Sequence, residues 1–238
     1  MTGTLINAAA VLAGTAVGTL LGGRLPERIR ETVMHGLGLF TLVLGVSQGL
    51  EAFRPPLSDV TRGAVLIILG SVLVGGVLGE LLRIERGLDR AGEALKARFG
   101  RGQARFTEGF VVASLVFCVG PLTILGSIQD GLTGDYQLLA IKSLLDGFGA
   151  LAFASALGWG VGFSVITILV YQGALSLSAT ALAGAFSDAM IAAMSAVGGI
   201  LIIGIGLRLL SLREVRVANL LPALVLAPAA VAALEALR

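Results

Sequence analysis

The amino-acid sequence predicts an all-α, polytopic membrane helix bundle of about eight spans, with seven as the alternative count. Three observations predict it. Across 238 residues the chain is 56% hydrophobic and only 13% charged, with a mean hydropathy of +0.95, whereas soluble domains carry roughly 25% charged residues. Apolar runs long enough to cross a bilayer follow one another from end to end, so 1–238 reads as a single integral membrane domain. The basic residues gather in alternate connections, as the positive-inside rule asks of a multi-pass chain.

The first span covers Met1 to Gly23, without a charge, and no basic segment precedes it, so it reads as a retained span rather than a cleaved signal. Gly14, Gly18 and Gly22 recur every fourth residue, a stripe that lets another helix backbone come close. Packing within one subunit is the expected use, and a homodimer seam the alternative. Asn7 is the strongly polar side chain of this span. Span two runs from Thr32 to Leu50 and carries His35 near its end, where an interfacial anchor is a better reading than a metal ligand because no second His exists. Phe53-Arg54-Pro55-Pro56 stops that helix, and Gly63 to Gly79 forms span three.

Arg83 to Arg105 follows as the longest polar connection. Ile84, Leu88, Leu95 and Phe99 fall on one helical side with Arg86, Arg90, Lys96, Arg98 and Arg101 around the rest, which predicts an amphipathic helix lying on the cytoplasmic leaflet. Span four, Gly109 to Ser127, is interrupted at Gly120-Pro121, where proline lacks a backbone donor and should kink or break the helix. Span five starts near Gln137, after the acidic turn Asp130 to Asp135. Gly158-Trp-Gly160-Val-Gly162 turns the chain into a short span six, Phe163 to Leu177, for which a tilted or re-entrant course is open. Ser187-Asp188 caps span seven, Ala189 to Leu207, and Val217 to Leu234 closes the bundle as span eight.

Arg24, Arg28, Arg30, the basic residues from Arg83 to Arg105, and Arg208, Arg213 and Arg216 follow odd-numbered spans, against only Arg54, Arg62 and Arg238 on the other side. Both termini are therefore expected outside and the amphipathic helix in the cytoplasm. The segments Met34 to Gly45 and Met194 to Gly206 share a pattern and belong to spans two and seven, which run oppositely here, as an inverted repeat would.

Chemistry gathers between Glu108 and Gly160. Lys142 and Asp146 are four apart in span five and can form an ion pair on one helical face. Such a pair is either a structural bridge between helices or a proton or cation acceptor with its charge compensator, and Ser143 and Gly147 keep its surroundings small. The break at Gly120-Pro121 is either a packing kink or half of a site, freeing carbonyls for a cation or amide ends for an anion. Ser127, Gln129 and Asp130 lie just after it, and Tyr171 and Gln172 interrupt span six. No phosphate loop, zinc set or nucleophile-base triad occurs, so neither an enzyme nor a cofactor or resident metal is expected. Cys118 is alone and forms no intrachain disulfide. The pI of about 9.1 reflects cytoplasmic loops facing anionic lipid, not nucleic acid.

Phe117-Cys118-Val-Gly120-Pro121, Gly126-Ser127-Ile-Gln-Asp130-Gly131, Lys142-Ser143-x2-Asp146-Gly147 and Tyr171-Gln172-Gly173 resemble the YdfK/YqgA-like family of bacterial inner-membrane proteins of unknown function. Gly3-Thr4-x2-Asn7 and Arg216-Val-Ala-Asn219-Leu-Leu-Pro222 extend the resemblance over nearly the whole chain. It implies a bacterial plasma-membrane protein and no substrate. A shorter stretch, Ser143 to Ala154, is similar to the first-span aspartate motif of manganese exporters of the lysine-exporter superfamily, which tilts the solute toward a cation. Two functions follow: a secondary transporter or channel for a small ion or solute, or a scaffold or accessory subunit whose polar residues tie helices together. Under the first, Asp146→Asn should abolish flux with folding intact; under the second it should destabilise the protein.

Overall fold

The computed structural model describes residues 1–24, 26–60, 63–100, 103–182 and 186–237. Arg62, Arg101 and Arg238, which entered the charge pattern, and the side chain of Pro121 lie outside them. The helices are α1 (Thr2–Gly22), α2 (Glu27–Gly49), the short α3 (Leu57–Val60), α4 (Ala64–Leu82), α5 (Ile84–Phe99), α6 (Phe106–Cys118), α7 (Pro121–Thr133), α8 (Gln137–Leu157), α9 (Ser164–Leu177), the short α10 (Ala179–Leu182), α11 (Asp188–Leu209) and α12 (Ala223–Ala236). Single 3-10 turns lead into α9 and α12. Among the described residues 7 helical segments are long and apolar enough to cross a membrane, and the bent pair α6–α7 brings the number to 8.

The chain divides into two compact units, Met1–Leu37 with Leu88–Ala183, and Gly38–Gly87 with Gly184–Arg238. In the first, the glycine stripe of α1 has its partner inside the chain. A Cβ added at Gly14, Gly18 or Gly22 would overlap the backbone carbonyls of Gly147, Leu151 and Ser155. Both sets step by four residues, so α1 and α8 run parallel at backbone contact, the small-residue packing that takes the place of a hydrophobic drive in lipid. Helix α9 runs the other way, with Gly162 beside Thr15 and Gly173 beside Met1.

The pair α6–α7 answers whether span four crosses. Each half has 13 residues, about 20 Å of helix and too short to span alone, and the halves meet at 65°. Helix α6 begins beside Gly160 and Val161, at the Gly22 end of α1. Helix α7 ends with Asp130 against the backbone of Gly3, at the opposite end. The pair is therefore one bent crossing opposed to α1, extended at both ends beyond the expected Gly109 to Ser127. Trp159–Leu177 likewise forms one crossing of 19 residues rather than a re-entrant hairpin.

Helix α5 forms where the amphipathic helix is expected. Ile84, Leu88 and Leu95 are half-buried, while Gly92 and Gly100 press on Thr107, Phe110 and Phe106 at the start of α6. Phe99 stacks on the Phe163 ring at a centroid distance of 5.2 Å. In the second unit, Gly38 of α2 lies beside Leu210, Gly45 beside Ile203 and Gly199, and Gly206 beside Leu42. Spans two and seven are thus antiparallel, and they pack directly on each other. Helix α12 packs along α4, Ala223 meeting Gly75 and Asn219 meeting Gly79. Ser187 caps α11 by accepting the Met190 N–H at 3.2 Å.

Candidate functional site

Every candidate site residue read from the sequence, and the break at Gly120-Pro121, falls in the first unit. The break is built by local chemistry. Proline at 121 brings no N–H, so the carbonyl of Phe117, four residues earlier, has no helical donor. Val119 and Gly120 are extended, with φ −88° and 170°, and α7 restarts from there. The Lys142 ammonium of α8 donates to the freed Phe117 carbonyl at 2.7 Å. It sits at the C-terminal end of α6, where the helix dipole favours a cation.

Asp146, one turn along α8, pairs with the same ammonium and accepts the Asn7 amide of α1 at 3.0 Å. Lys142 and Asp146 are 6% and 8% exposed. Four groups from three elements, Phe117, Lys142, Asp146 and Asn7, are thereby closed into one network that neutralises its own charge. The distant break and the intrahelical pair, read separately in the sequence, are one feature.

Other residues singled out from the sequence separate into two groups. Ser143 turns its hydroxyl back to the Leu139 carbonyl at 2.6 Å within α8, Gln129 closes the acidic turn by donating to Asp135 at 2.8 Å, and Tyr171 is half-buried. Asp130, by contrast, is 3% exposed. Its Oδ2 receives the Gly3 N–H at 3.0 Å with the Met1 amino group also at 3.0 Å. Ser127 is fully buried, and its carbonyl accepts the Ser176 hydroxyl of α9 at 3.0 Å. Gln172 is fully buried on α9.

What distinguishes this second group is what its members lack. Asn7 Oδ1, Ser127 Oγ, Asp130 Oδ1 and both Oε1 and Nε2 of Gln172 have no hydrogen-bond partner among the described residues, and neither has Thr4 Oγ1. They lie on α1, α7 and α9, which pack on one another. Gly3 meets Asp130, Ser176 meets Ser127 and Gly173 meets Met1. Thr4 and Asn7 of α1, and Gln172 of α9, lie between the Met1–Gly173 and Thr15–Gly162 contacts. Thr15 Oγ1 and Ser164 Oγ, also buried and unpartnered, continue the polar track toward the other end of α1.

Sequence reading missed Thr4, although its spacing of three from Asn7 puts both on one face of α1. It also missed the polar cluster of the second unit. Glu85 is 8% exposed; its carboxylate accepts Arg208 at 3.0 Å and the Ala218 N–H at 2.7 Å, and its own N–H donates to Asn219 Oδ1 at 2.8 Å. Glu80 accepts Arg216 at 2.7 Å and the Asn219 amide at 2.6 Å. The partners are more than 120 positions apart, and no local pattern announces them.

Known proteins share this sequence along its length. The uncharacterised protein YqgA of Escherichia coli (strain K12) is 34% identical over 230 residues, 94% of each chain. The uncharacterised membrane protein YdfK of Bacillus subtilis (strain 168) is 29% identical over 236 residues, 99% of this chain and 98% of its own. No solved structure matches. The family model described as "Protein of unknown function (DUF554)" matches residues 2–232, the same length of chain that carries the broken span, the Lys142–Asp146 network and the polar seam, and the chain belongs to that family of membrane proteins.

Proposed function

We propose that this protein is a secondary transporter or channel of the bacterial plasma membrane, moving a small ion or solute, with a cation favoured. The single observation that carries the reading is Gln172, a fully buried amide with neither oxygen nor nitrogen partnered among the described residues. A polar group left so in a low-dielectric interior costs about 1–3 kcal/mol. Buried orphans of this kind are satisfied by water or a ligand that the protein is built to hold. The neighbouring orphans on α1 and α7 make this a track rather than an isolated defect. A helix broken mid-crossing beside such a track is the arrangement in which transporters bind solutes near the bilayer midplane.

The Lys142–Asp146–Asn7 network belongs to the same reading as a brace. It satisfies the carbonyl that the break exposes and ties α8 and α1 to the break, so α7 can shift about Val119–Gly120 without leaving a bare charge in lipid. The closed network also favours the rival reading, a scaffold or accessory subunit, and flux decides between them. In proteoliposomes on a solid-supported membrane, jumps of Na+, K+, Mg2+ and Mn2+, with an internal pH dye for electroneutral exchange, should give a response absent from empty liposomes. Gln172→Leu should lose it. Silence to every jump by both readouts would leave only the scaffold.

A further inference from the structure

We infer that the α1–α7–α9 seam is a binding site for one small alkali cation of sodium class, held by Asn7 Oδ1, Ser127 Oγ, Gln172 Oε1 and Thr4 Oγ1, with the bare Oδ1 of Asp130 one turn toward the Met1 end. The inference rests on the proposed transport reading only in that the site lies on the same track. Its basis is the chemistry of what is unpaired.

Two of the orphans are fixed acceptors. The Asn7 amide nitrogen is committed to Asp146, which turns Oδ1 away from that carboxylate with no freedom to present a donor. Asp130 uses Oδ2 for Gly3 and leaves Oδ1 bare. The Ser127 and Thr4 hydroxyl oxygens can accept, and the Gln172 amide can present its oxygen. An anion would find donors in the Gln172 amide and the two hydroxyls but would face the bare oxygens of Asn7 and of the Asp130 carboxylate, whereas a cation satisfies every one of these oxygens. All are hard oxygen donors, without sulfur or imidazole, which suits alkali and alkaline-earth ions rather than copper or zinc.

Charge then selects within that class. Asp130 is the only carboxylate with an unpartnered buried oxygen among the described residues, and no group of three His, Cys, Asp or Glu able to hold a metal ion occurs among them. Asp130 already meets the Met1 amino group through Oδ2, so four neutral oxygens beside a largely spent carboxylate suit the smallest cationic charge, a monovalent ion. A divalent ion would place twice the charge inside the bundle, which the bilayer penalises steeply. The Lys142–Asp146 pair neutralises itself and adds no net charge.

The test uses the full chain purified in detergent, with 22Na+ binding read by scintillation proximity and melting followed in NaCl, KCl, MnCl2 and choline chloride at equal ionic strength. Binding should be saturable and specific to the alkali ion, melting should rise in NaCl over choline by linkage, and Ser127→Ala and Gln172→Leu should each weaken binding at least tenfold. In choline, Gln172→Leu should melt at or above the wild-type temperature, because it removes an unsatisfied amide while keeping volume. That result separates loss of the site from loss of the fold, and Ser127→Ala, a smaller change, carries the test if the first variant does not fold. No saturable 22Na+ binding, unchanged binding in both variants, or stabilisation by Mn2+ without any by Na+ would each overturn the inference. Sodium binding without flux upholds the site and removes the transport reading; flux of a solute indifferent to sodium, without sodium binding, does the reverse.

Discussion

At the residue scale, Asp146 has two neighbours that define it: the ammonium it neutralises and the Asn7 amide it orients. Asp146→Asn leaves a buried Lys142 charge without an anion, and breaking a buried pair from one side costs about 3–5 kcal/mol. Lys142→Met should cost a similar amount by stranding the carboxylate. The double variant Lys142→Met/Asp146→Leu should recover most of that loss, because the Phe117 carbonyl keeps the Thr123 hydroxyl at 3.4 Å, and retain a penalty of about 1–3 kcal/mol for the unpaired Asn7 amide. Thermal unfolding of these variants in detergent, with Asp146→Leu added so that the double-mutant cycle closes, checks this. If Asp146→Asn melted with the wild type, the pair would not be the brace described. Destabilisation of Asp146→Asn accordingly no longer separates transport from scaffold, since a brace serves both. That discrimination moves to Gln172, whose side chain makes no hydrogen bond among the described residues.

At the scale of the helix, two glycine sites in the first unit differ in what an added methyl would meet. Gly18 lies against the Leu151 carbonyl of α8, whereas a Cβ on Gly120 meets nothing within 4 Å and its extended backbone suits any residue. Gly18→Ala should cost about 1–3 kcal/mol by overpacking the α1–α8 seam, while Gly120→Ala should be neutral or stabilise by about 0.4–1 kcal/mol through reduced freedom of the unfolded chain. Melting temperatures of the pair decide it, and equal losses would sink the assigned packing. In the second unit, Glu85→Ala removes charged hydrogen bonds to Arg208 and the Ala218 amide, worth about 1.5–3 kcal/mol each. Melting should fall by more than one such bond, and an unchanged midpoint would remove Glu85 as an anchor of α5. These elements also mark where sequence reading succeeds. Proline's missing donor and glycine's missing side chain act locally, so the break and the stripe are legible. Which helix fills the stripe, and that Lys142 reaches the carbonyl freed 25 positions earlier, depend on tertiary neighbours that no local pattern encodes. Gln172 reads only as a polar interruption, because isolation from partners is a property of the packed state.

For the molecule as a whole, hydropathy and arginine placement give the number and alternation of crossings, and the bent α6–α7 pair is where that count was open. A re-entrant hairpin would return Asp135 to the side from which Arg105 enters. The neighbours of the two half-helices oppose this, since α6 begins at Gly160 and α7 ends at Gly3, opposite ends of α1. Single cysteines at Arg24, Arg105 and Asp135, placed in a Cys118→Ser background and probed with a membrane-impermeant maleimide, test the crossing directly. Asp135→Cys should label in intact cells, and Arg24→Cys and Arg105→Cys only after the membrane is opened, if the arginine-rich connections follow the positive-inside rule. Labelling of Arg105→Cys and Asp135→Cys from the same side would make the pair re-entrant and bring the seam's two ends to one face, which no through-membrane track survives. Opposite sides with reversed polarity would keep the crossing and overturn only the orientation drawn from charge.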